Sequence, residues 1–220
     1  MRVTAAGAVA HALAPPSPWV RMRLPVPIAG AAAGSLLDFA AGAGRHARYA
    51  AALGYQVTAV DRDEAALQAL RKQAPAVQIM VADLESLAWP LAGMKFDVVL
   101  CTNYLFRPRL EQLIDCVAPG GRLIYETFAL GNARFGRPTN PDFLLLPGEL
   151  LALAARRAMH VLAYEDGIVR GARPARVQRI VVLTPAPEGI DPESGALNDT
   201  IASALNLDPF NPDAHDSPFL

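Results

Sequence analysis

The chain has 220 residues, 52% of them hydrophobic, which is enough for one large domain with a complete core. Its formal net charge of −1 at pH 7 gives no sign of a nucleic-acid-binding protein, and no apolar run is long enough to cross a bilayer. With two cysteines and no Cys/His cluster, the sequence predicts neither a disulfide framework nor a metal site.

Residues 1–33 are expected to form a segment that precedes the main domain. The Ala-rich run over 1–14 is similar to a signal peptide, but it is weakly apolar and contains a histidine. We therefore predict a disordered or helical leader instead. Further on, Ser17 and Pro18 are favoured at the start of a helix and predict a short helix over 18–23.

The stretch over 36–46 carries the strongest signal in the chain. Apolar residues around Asp38 predict a buried strand, and the small residues over 40–44 predict a tight loop that opens a helix over 45–53. Small residues let the backbone approach a ligand closely, and the free N–H groups at a helix start carry a partial positive charge. Such a loop receives the polar part of a nucleotide-like cofactor.

Acidic residues end the next two predicted strands. The strand over 56–60 ends in Asp61, roughly 20 residues past the glycines, where a carboxylate can accept hydrogen bonds from ribose hydroxyls. The strand over 77–81 ends near Asp83. Because ligands bind at the carboxyl edge of an open parallel sheet, the acids after three successive strands predict one binding edge.

The remaining chain alternates between helix and strand patterns. We predict helices over 63–74, 107–118 and 147–158 and strands over 96–101, 122–128, 160–164 and 177–184. The loop over 129–146 is long for a compact domain and leaves the ligand edge, so we predict a lid or a wall of the substrate site. Residues 186–220 hold seven acidic residues and no Lys or Arg and are predicted to be a largely mobile tail.

Two side chains of the fourth strand are predicted to be structural. Asp97 starts the strand at the sheet edge opposite the ligands. Cys101 is expected to behave as a small buried hydrophobic residue and not as a nucleophile, because no base follows it at a suitable position.

The stretch Asp38-x-Ala40-x-Gly42-x-Gly44 resembles the first motif of class I S-adenosylmethionine-dependent methyltransferases, an acid followed by three alternating glycines. Ala40 stands where the first glycine is usual, and we expect this exchange to add only a methyl group. The resemblance covers residues 34–185, the predicted main domain. It is nearest to the small stand-alone type that includes tellurite-resistance and thiopurine methyltransferases.

Further positions resemble the same family. Asp61 matches its ribose-binding acid, Asp83 matches its acid near the adenine amine, and residues 118–121 match the turn before its fifth strand. The resemblance implies one doubly wound, Rossmann-like α/β domain with a mostly parallel seven-stranded sheet and an antiparallel edge strand. It also implies S-adenosylmethionine as cofactor and S-adenosylhomocysteine as product. The residues expected to bind the cofactor follow the first four strands and are Asp38, Ala40, Gly42, Gly44, Arg45, His46, Asp61, Arg62, Asp83, Leu84, Cys101 and Thr102.

The implied activity is methyl transfer to a small-molecule acceptor by in-line displacement, which needs alignment and exclusion of water more than a base. No catalytic residue is identified from the sequence. Arg134 and Arg137 could clamp an anionic acceptor or could be solvated loop residues, and Trp19 could cover the pocket or anchor its segment on the core. The residues expected on the acceptor side are Trp19, Asn103, Tyr104, Glu126, Arg134 and Arg137.

Because the cofactor is made in the cytosol, the resemblance implies a cytoplasmic enzyme. We expect a monomer or weak dimer without a nucleic-acid or membrane partner.

Two other functions remain open. Gly42-x-Gly44-x-x-Ala47 also matches the dinucleotide fingerprint of NAD-dependent oxidoreductases, with Asp61 as its ribose acid. Asp38 before the glycines, the further acid Asp83 and the lack of a Tyr/Lys dyad disfavour that alternative. A non-catalytic, cofactor-binding subunit is the third possibility.

Overall fold

The computed structural model describes residues 14–27, 32–171 and 173–186, which belong to one compact unit. The predictions for the leader, up to residue 13, and for the tail beyond residue 186 lie outside these described residues. No helix within the described ranges has the length and apolarity to span a membrane, and no group of three or more potential metal ligands occurs there.

The helices and strands follow the predicted alternation along the chain. The strands are β1 Ser35–Phe39, β2 Gln56–Asp61, β3 Gln78–Val81, β4 Phe96–Thr102, β5 Val117–Phe128, β6 His160–Val169 and β7 Ala175–Leu183. The helices are α1 Pro18–Arg23, α2 Arg45–Ala52, α3 Glu64–Gln73, α4 Leu110–Asp115 and α5 Glu149–Arg156. Short 3₁₀ turns cover Arg107–Arg109, Asn132–Arg134 and Pro141–Phe143.

In the described part of the chain, seven strands form one sheet in the order β3-β2-β1-β4-β5-β7-β6. β7 runs antiparallel to both of its neighbours, and the pairs among β1 to β5 are parallel. The predicted Rossmann-like sheet is therefore confirmed, with the antiparallel strand β7 beside the edge strand β6. The strand order reverses at β1 and β4, and ligands of such sheets bind at the carboxyl ends of the strands around that point.

Alternating side chains of the sheet build a hydrophobic core on each face. In β1, Leu37 and Phe39 belong to one core and Leu36 to the other. Helices α4 and α5 cover the first core, and helices α1, α2 and α3 cover the second. This doubly wound packing leaves the strand ends and their loops free to form a site.

Two strands, β5 and β6, are each five residues longer than the sequence predicts. β5 begins at Val117, because the turn over 118–121 continues as an irregular part of the strand. β6 extends to Val169, because it pairs with β7 along its length as a hairpin. At the opposite edge of the sheet, Asp97 Oδ2 accepts hydrogen bonds from the N–H and the hydroxyl of Ser35 at 2.7 and 2.8 Å, which confirms its structural role.

Candidate active site

The loop after β1 is fastened to the end of β2 by two backbone donors. The N–H of Ala41 donates to the carbonyl of Val60 at 2.9 Å, and the N–H of Gly42 donates to Asp61 Oδ2 at 2.7 Å. Asp61 Oδ1 accepts from the N–H of Asp63 at 2.9 Å. The Asp61 carboxylate is therefore held from two sides, and the loop has a defined shape beside it.

Three residues of this loop adopt left-handed backbone, with φ of +56° at Ala40, +53° at Gly42 and +70° at Gly44. Such a φ strains a residue with a side chain by about 1–2 kcal/mol. The exchange of glycine for Ala40 therefore costs backbone strain as well as the space of a methyl group, which the sequence-based expectation left out. A Cβ at Gly42 would meet no atom within 4 Å, whereas a Cβ at Gly44 would lie 2.4 Å from Leu70 Cδ2. Gly42 thus leaves room on the ligand side, and Gly44 is required for packing against α3.

The carboxyl of Asp38 lies beneath the loop and lines neither of the site's two cavities described below. Its Oδ2 accepts from the N–H of Ala47, in the first turn of α2, at 2.8 Å. Burial raises the pKa of Asp38 to about 7 against this hydrogen bond. Asp38, the acid of the motif, therefore stabilises the start of α2, the helix that follows the loop. It affects the loop from inside the protein.

His46 connects three elements at the centre of the site. Its Nε2 accepts from the N–H of Ser17 at 3.1 Å, and its Nδ1 lies 3.3 Å from Thr102 Oγ1 at the end of β4. Burial, with a smaller contribution from the charge of Arg45, lowers the pKa of His46 to about 3. A neutral ring that accepts at Nε2 carries its proton on Nδ1, so His46 donates to Thr102.

The segment before α1 is joined to the site by a second set of contacts. The hydroxyl oxygen of Ser17 caps α1 by accepting a hydrogen bond from the N–H of Trp19 at 3.2 Å. The same hydroxyl donates a hydrogen bond to Glu126 Oε1 at 2.9 Å. Glu126 Oε2 lies 3.4 Å from Nε of Arg179 on β7. Ser17 therefore joins the N-terminal segment both to the cofactor loop, through His46, and to the exit of β5.

Trp19 anchors this segment, the second of the two roles predicted for it. Its ring is 1% exposed in the core against the sheet and lines neither cavity. The guanidinium groups of Arg23 and Arg179 lie 4.9 and 5.4 Å from the ring centroid, close enough for cation–π attraction. Trp19 is thus placed in the core, away from the acceptor position expected for it.

Two cavities open at the carboxyl ends of the strands. The larger, of about 760 Å³, lies among the loops after β1, β4 and β5 and the β6–β7 connection. The smaller, of about 220 Å³, lies between the ends of β2 and β3 and contains Asp61 and Asp83. Ala40 lines both cavities. The cavities therefore adjoin at the loop after β1 and form one site.

The structure brings most of the predicted site residues to these cavities. The larger one is lined by Ala40, Gly42, Arg45, His46, Thr102, Asn103, Glu126 and Arg137. The smaller one is lined by Ala40, Asp61, Arg62, Asp83, Leu84 and Tyr104. Tyr104, which was expected on the acceptor side with Asn103 and Glu126, lies beside the two acids in the smaller cavity, with its ring centroid 5.5 Å from that of Phe39.

Asp38, Gly44, Cys101, Trp19 and Arg134 line neither cavity. The thiol of Cys101 is fully buried among apolar side chains, and burial raises its pKa well above the ordinary value. Cys101 therefore has the buried, unreactive environment predicted for it, but its side chain does not face the predicted cofactor site. Arg134 is an exposed side chain of the loop.

Among the lining residues of the larger cavity that were not predicted as site residues are two polar ones from the long loop and the β6–β7 connection. Asn132 is 1% exposed and belongs to the loop predicted as a substrate wall, where nothing distinguishes it from other polar residues. Arg173 comes from the basic β6–β7 connection. The sequence predicts the long loop as a substrate wall, but it does not show which residues of that loop line the cavity.

Comparison with known proteins shows what part of the chain is similar to a known domain. Residues 36–121 match a family model described as a methyltransferase domain. No curated protein sequence matches the chain. Among solved structures, TehB from Haemophilus influenzae is 17% identical with a TM-score of 0.58, and the match covers 81% of this chain and 62% of TehB. This chain therefore spans less than two thirds of the length of TehB.

Two other solved structures have the same fold. An S-adenosylmethionine-dependent methyltransferase from Methanosarcina mazei is 14% identical with a TM-score of 0.60, and the match covers 79% of this chain and all of that one. The glycopeptide N-methyltransferase MtfA, solved with S-adenosylhomocysteine, is 18% identical with a TM-score of 0.53 over 76% of this chain and 87% of its own. Residues 36–121 thus match a methyltransferase domain, and the described residues have the fold of these solved methyltransferases.

Proposed function

We propose that this class I methyltransferase domain binds S-adenosylmethionine across the two adjoining cavities and transfers its methyl group to a small-molecule acceptor in the larger one. The observation that carries the proposal is the continuity of the two cavities at Ala40, at the carboxyl ends of β1, β2 and β4. An acid-lined compartment and a roomier compartment on either side of a Gly-containing loop fit a nucleoside and a reacting group.

The residues present fit this cofactor. Asp61 and Asp83 place carboxylate acceptors in the smaller cavity, where ribose hydroxyls and an adenine amine are donors. The open space above Gly42 allows the backbone to approach the ligand closely. Ala40, at the junction of the cavities, lies where the nucleoside half would give way to the methionine half.

The domain's own residues act by alignment and not by proton transfer. When bound, the cofactor supplies a methyl group on a positively charged sulfur, so the protein has to orient the acceptor and exclude water. Two described lining residues, His46 and Glu126, are candidates for a base. Both nitrogens of His46 are engaged, and Glu126 is held by Ser17 and Arg179. The acceptor therefore has to present a soft or already deprotonated nucleophile.

Calorimetry of the purified chain tests the cofactor assignment. S-adenosylhomocysteine is expected to bind with a micromolar dissociation constant, and NAD is expected to give no heat of binding. Binding of NAD alone would instead support the oxidoreductase. Release of S-adenosylhomocysteine in the presence of any methyl acceptor distinguishes an enzyme from a cofactor-binding subunit.

Asp61→Ala is expected to weaken S-adenosylhomocysteine binding by about 1–3 kcal/mol, because buried ribose hydroxyls lose their acceptor and the loop amide of Gly42 loses its partner. Asp63→Ala is the matched control. Asp63, and not Asp61, caps α3 by accepting from the N–H of Ala66, so its loss is expected to cost about 1 kcal/mol of stability and no affinity. Equal dissociation constants for both variants would remove Asp61 from the site.

The proposal extends to a monomer or weak dimer in the cytoplasm that acts without a nucleic-acid or membrane partner. Sedimentation of the purified chain with and without S-adenosylhomocysteine tests the oligomeric state.

A further inference from the structure

The charged side chains that line the larger cavity are mostly cationic. Arg45, Arg137 and Arg173 line it, and Glu126 is its one carboxylate among the described residues. Glu126 is already neutralised by Arg179 and hydrogen-bonded to Ser17. The imidazole of His46, which also lines the cavity, is neutral. The charge of the lining side chains that is not neutralised by a partner is therefore positive.

Arg137 and Arg173 reach the cavity from two different elements. Arg137 belongs to the loop after β5, and Arg173 belongs to the connection from β6 to β7. Neither forms a hydrogen bond or ion pair with another described residue. By contrast, Arg176 and Arg179 on the following strand pair with Asp166 and Glu126. Both side chains are exposed, and two guanidinium groups without a partner among the described residues, on two segments that line one cavity, are suited to bidentate binding of an oxyanion group.

The buried Asn132 holds these two segments together. Its Oδ1 accepts from the N–H of Arg176 at 3.1 Å, and its Nδ2 donates to the carbonyl of Pro138 at 3.1 Å. The N–H of Ala129 adds a bond of 2.9 Å to the carbonyl of Arg176. Asn132 is therefore a positioning residue that fixes the backbone next to Arg137 and just beyond Arg173.

We infer that Arg137 and Arg173 bind an anionic group of the methyl acceptor, a carboxylate or phosphate separate from the atom that receives the methyl group. This inference rests on the proposed function, since it concerns the acceptor of the same site. Arg45 is left out because it begins α2 next to the cofactor loop, where the carboxylate of the cofactor itself is a competing anion. Arg134 is also left out, because its side chain does not line the cavity.

Calorimetry on the protein saturated with S-adenosylhomocysteine tests the inference, with benzoate, succinate and phenyl phosphate as anionic probes and benzamide and succinamide as neutral counterparts. At least one anion is expected to bind at least about tenfold more tightly than the neutral probes. Arg137→Gln and Arg173→Gln are each expected to weaken that binding about tenfold or more, as for the loss of a charged hydrogen bond. The controls Arg134→Gln and Arg170→Gln remove exposed arginines of the same two segments and are expected to change it less than twofold.

Two results would overturn the inference: anions that bind no better than the neutral probes, or cavity variants that behave like the controls. The affinity of each variant for S-adenosylhomocysteine separates the two possible sources of the anion. It is expected to stay within twofold of the original protein, and a tenfold loss would assign the arginines to the carboxylate of the cofactor. Failure of the original protein to bind S-adenosylhomocysteine would instead contradict the proposed function.

Discussion

Gly44→Val is expected to destabilise the fold by roughly 2–5 kcal/mol, whereas Gly42→Ala is expected to fold and to lose affinity for S-adenosylhomocysteine. A Cβ at Gly44 would lie 2.4, 2.6 and 2.9 Å from three carbons of Leu70, which is 1% exposed. Overpacking costs about 1–3 kcal/mol and left-handed backbone about 1–2 kcal/mol. Together these costs are a large part of the roughly 5–15 kcal/mol that stabilises a domain.

At Gly42 the added methyl group meets no protein atom within 4 Å. We therefore expect only the backbone strain of about 1–2 kcal/mol, together with a steric loss of cofactor binding. Gly54→Ala is the matched control, since Gly54 also has a positive φ with no atom near its Cβ but lies at the far end of α2. Urea unfolding and calorimetry on the three variants measure both effects. A Gly44→Val protein of unchanged stability that lacks only cofactor binding would show that this residue faces the ligand, as the sequence suggested.

His46→Gln is expected to change the pH dependence of stability by about 1.4 kcal/mol per pH unit between about pH 4 and pH 6.5. The ordinary pKa of His46 is 6.5, and burial lowers it to about 3. Within this range the unfolded chain binds a proton at His46 and the folded protein does not. The contribution of His46 to stability therefore rises as pH rises.

Asp38 has the opposite effect over the same range. Its pKa is raised by burial from 3.8 to about 7, so the folded protein holds a proton that the unfolded chain releases, and its contribution to stability falls as pH rises. In the original protein the two contributions offset each other. When His46→Gln leaves Asp38 alone, stability relative to the original protein is expected to fall as pH rises. Asp38→Asn leaves His46 alone and is expected to give the opposite slope.

Urea unfolding of the three proteins at intervals of half a pH unit measures these slopes as differences, so that other titrating groups cancel. Gln and Asn are chosen because they retain hydrogen-bonding groups without titrating. Parallel curves for His46→Gln and the original protein would mean that the imidazole is protonated in the folded state. The bond from Ser17 to Nε2 would then not exist in solution.

The sequence predicted the fold well because strand and helix periodicity is local. The buried strands around Leu36 and Val57, the stripe of α3 and the turns between them are each encoded within a few residues. The family resemblance then implied a doubly wound sheet, and the alternation of these elements agrees with it, since parallel strands require crossover helices. The same locality located Asp61 and Asp83, because a strand end is visible in the sequence and all parallel strands end at one edge.

Tertiary structure alone decided the contacts between distant segments. Nothing near Gly44 in the sequence indicates that its Cβ would meet Leu70, and nothing near His46 indicates that Ser17 donates to it across 29 positions. The assignment of Trp19 to the core and of Tyr104 to the acid-lined cavity was open for the same reason. Local patterns tell which face of an element is apolar, but not which partner covers it.

The arginines show this division most clearly. Sequence placed Arg134 and Arg137 together because they share one loop, but of the two only Arg137 lines the cavity. Arg173 lines the same cavity from the β6–β7 connection. The two segments lie together because Asn132 forms hydrogen bonds with both of them. The sequence by itself determined the class of fold and the positions of the loop after β1 and of Asp61 and Asp83. The shape and charge of the acceptor side depend on loops whose conformations are set by contacts with other parts of the fold, so only the tertiary structure decided them.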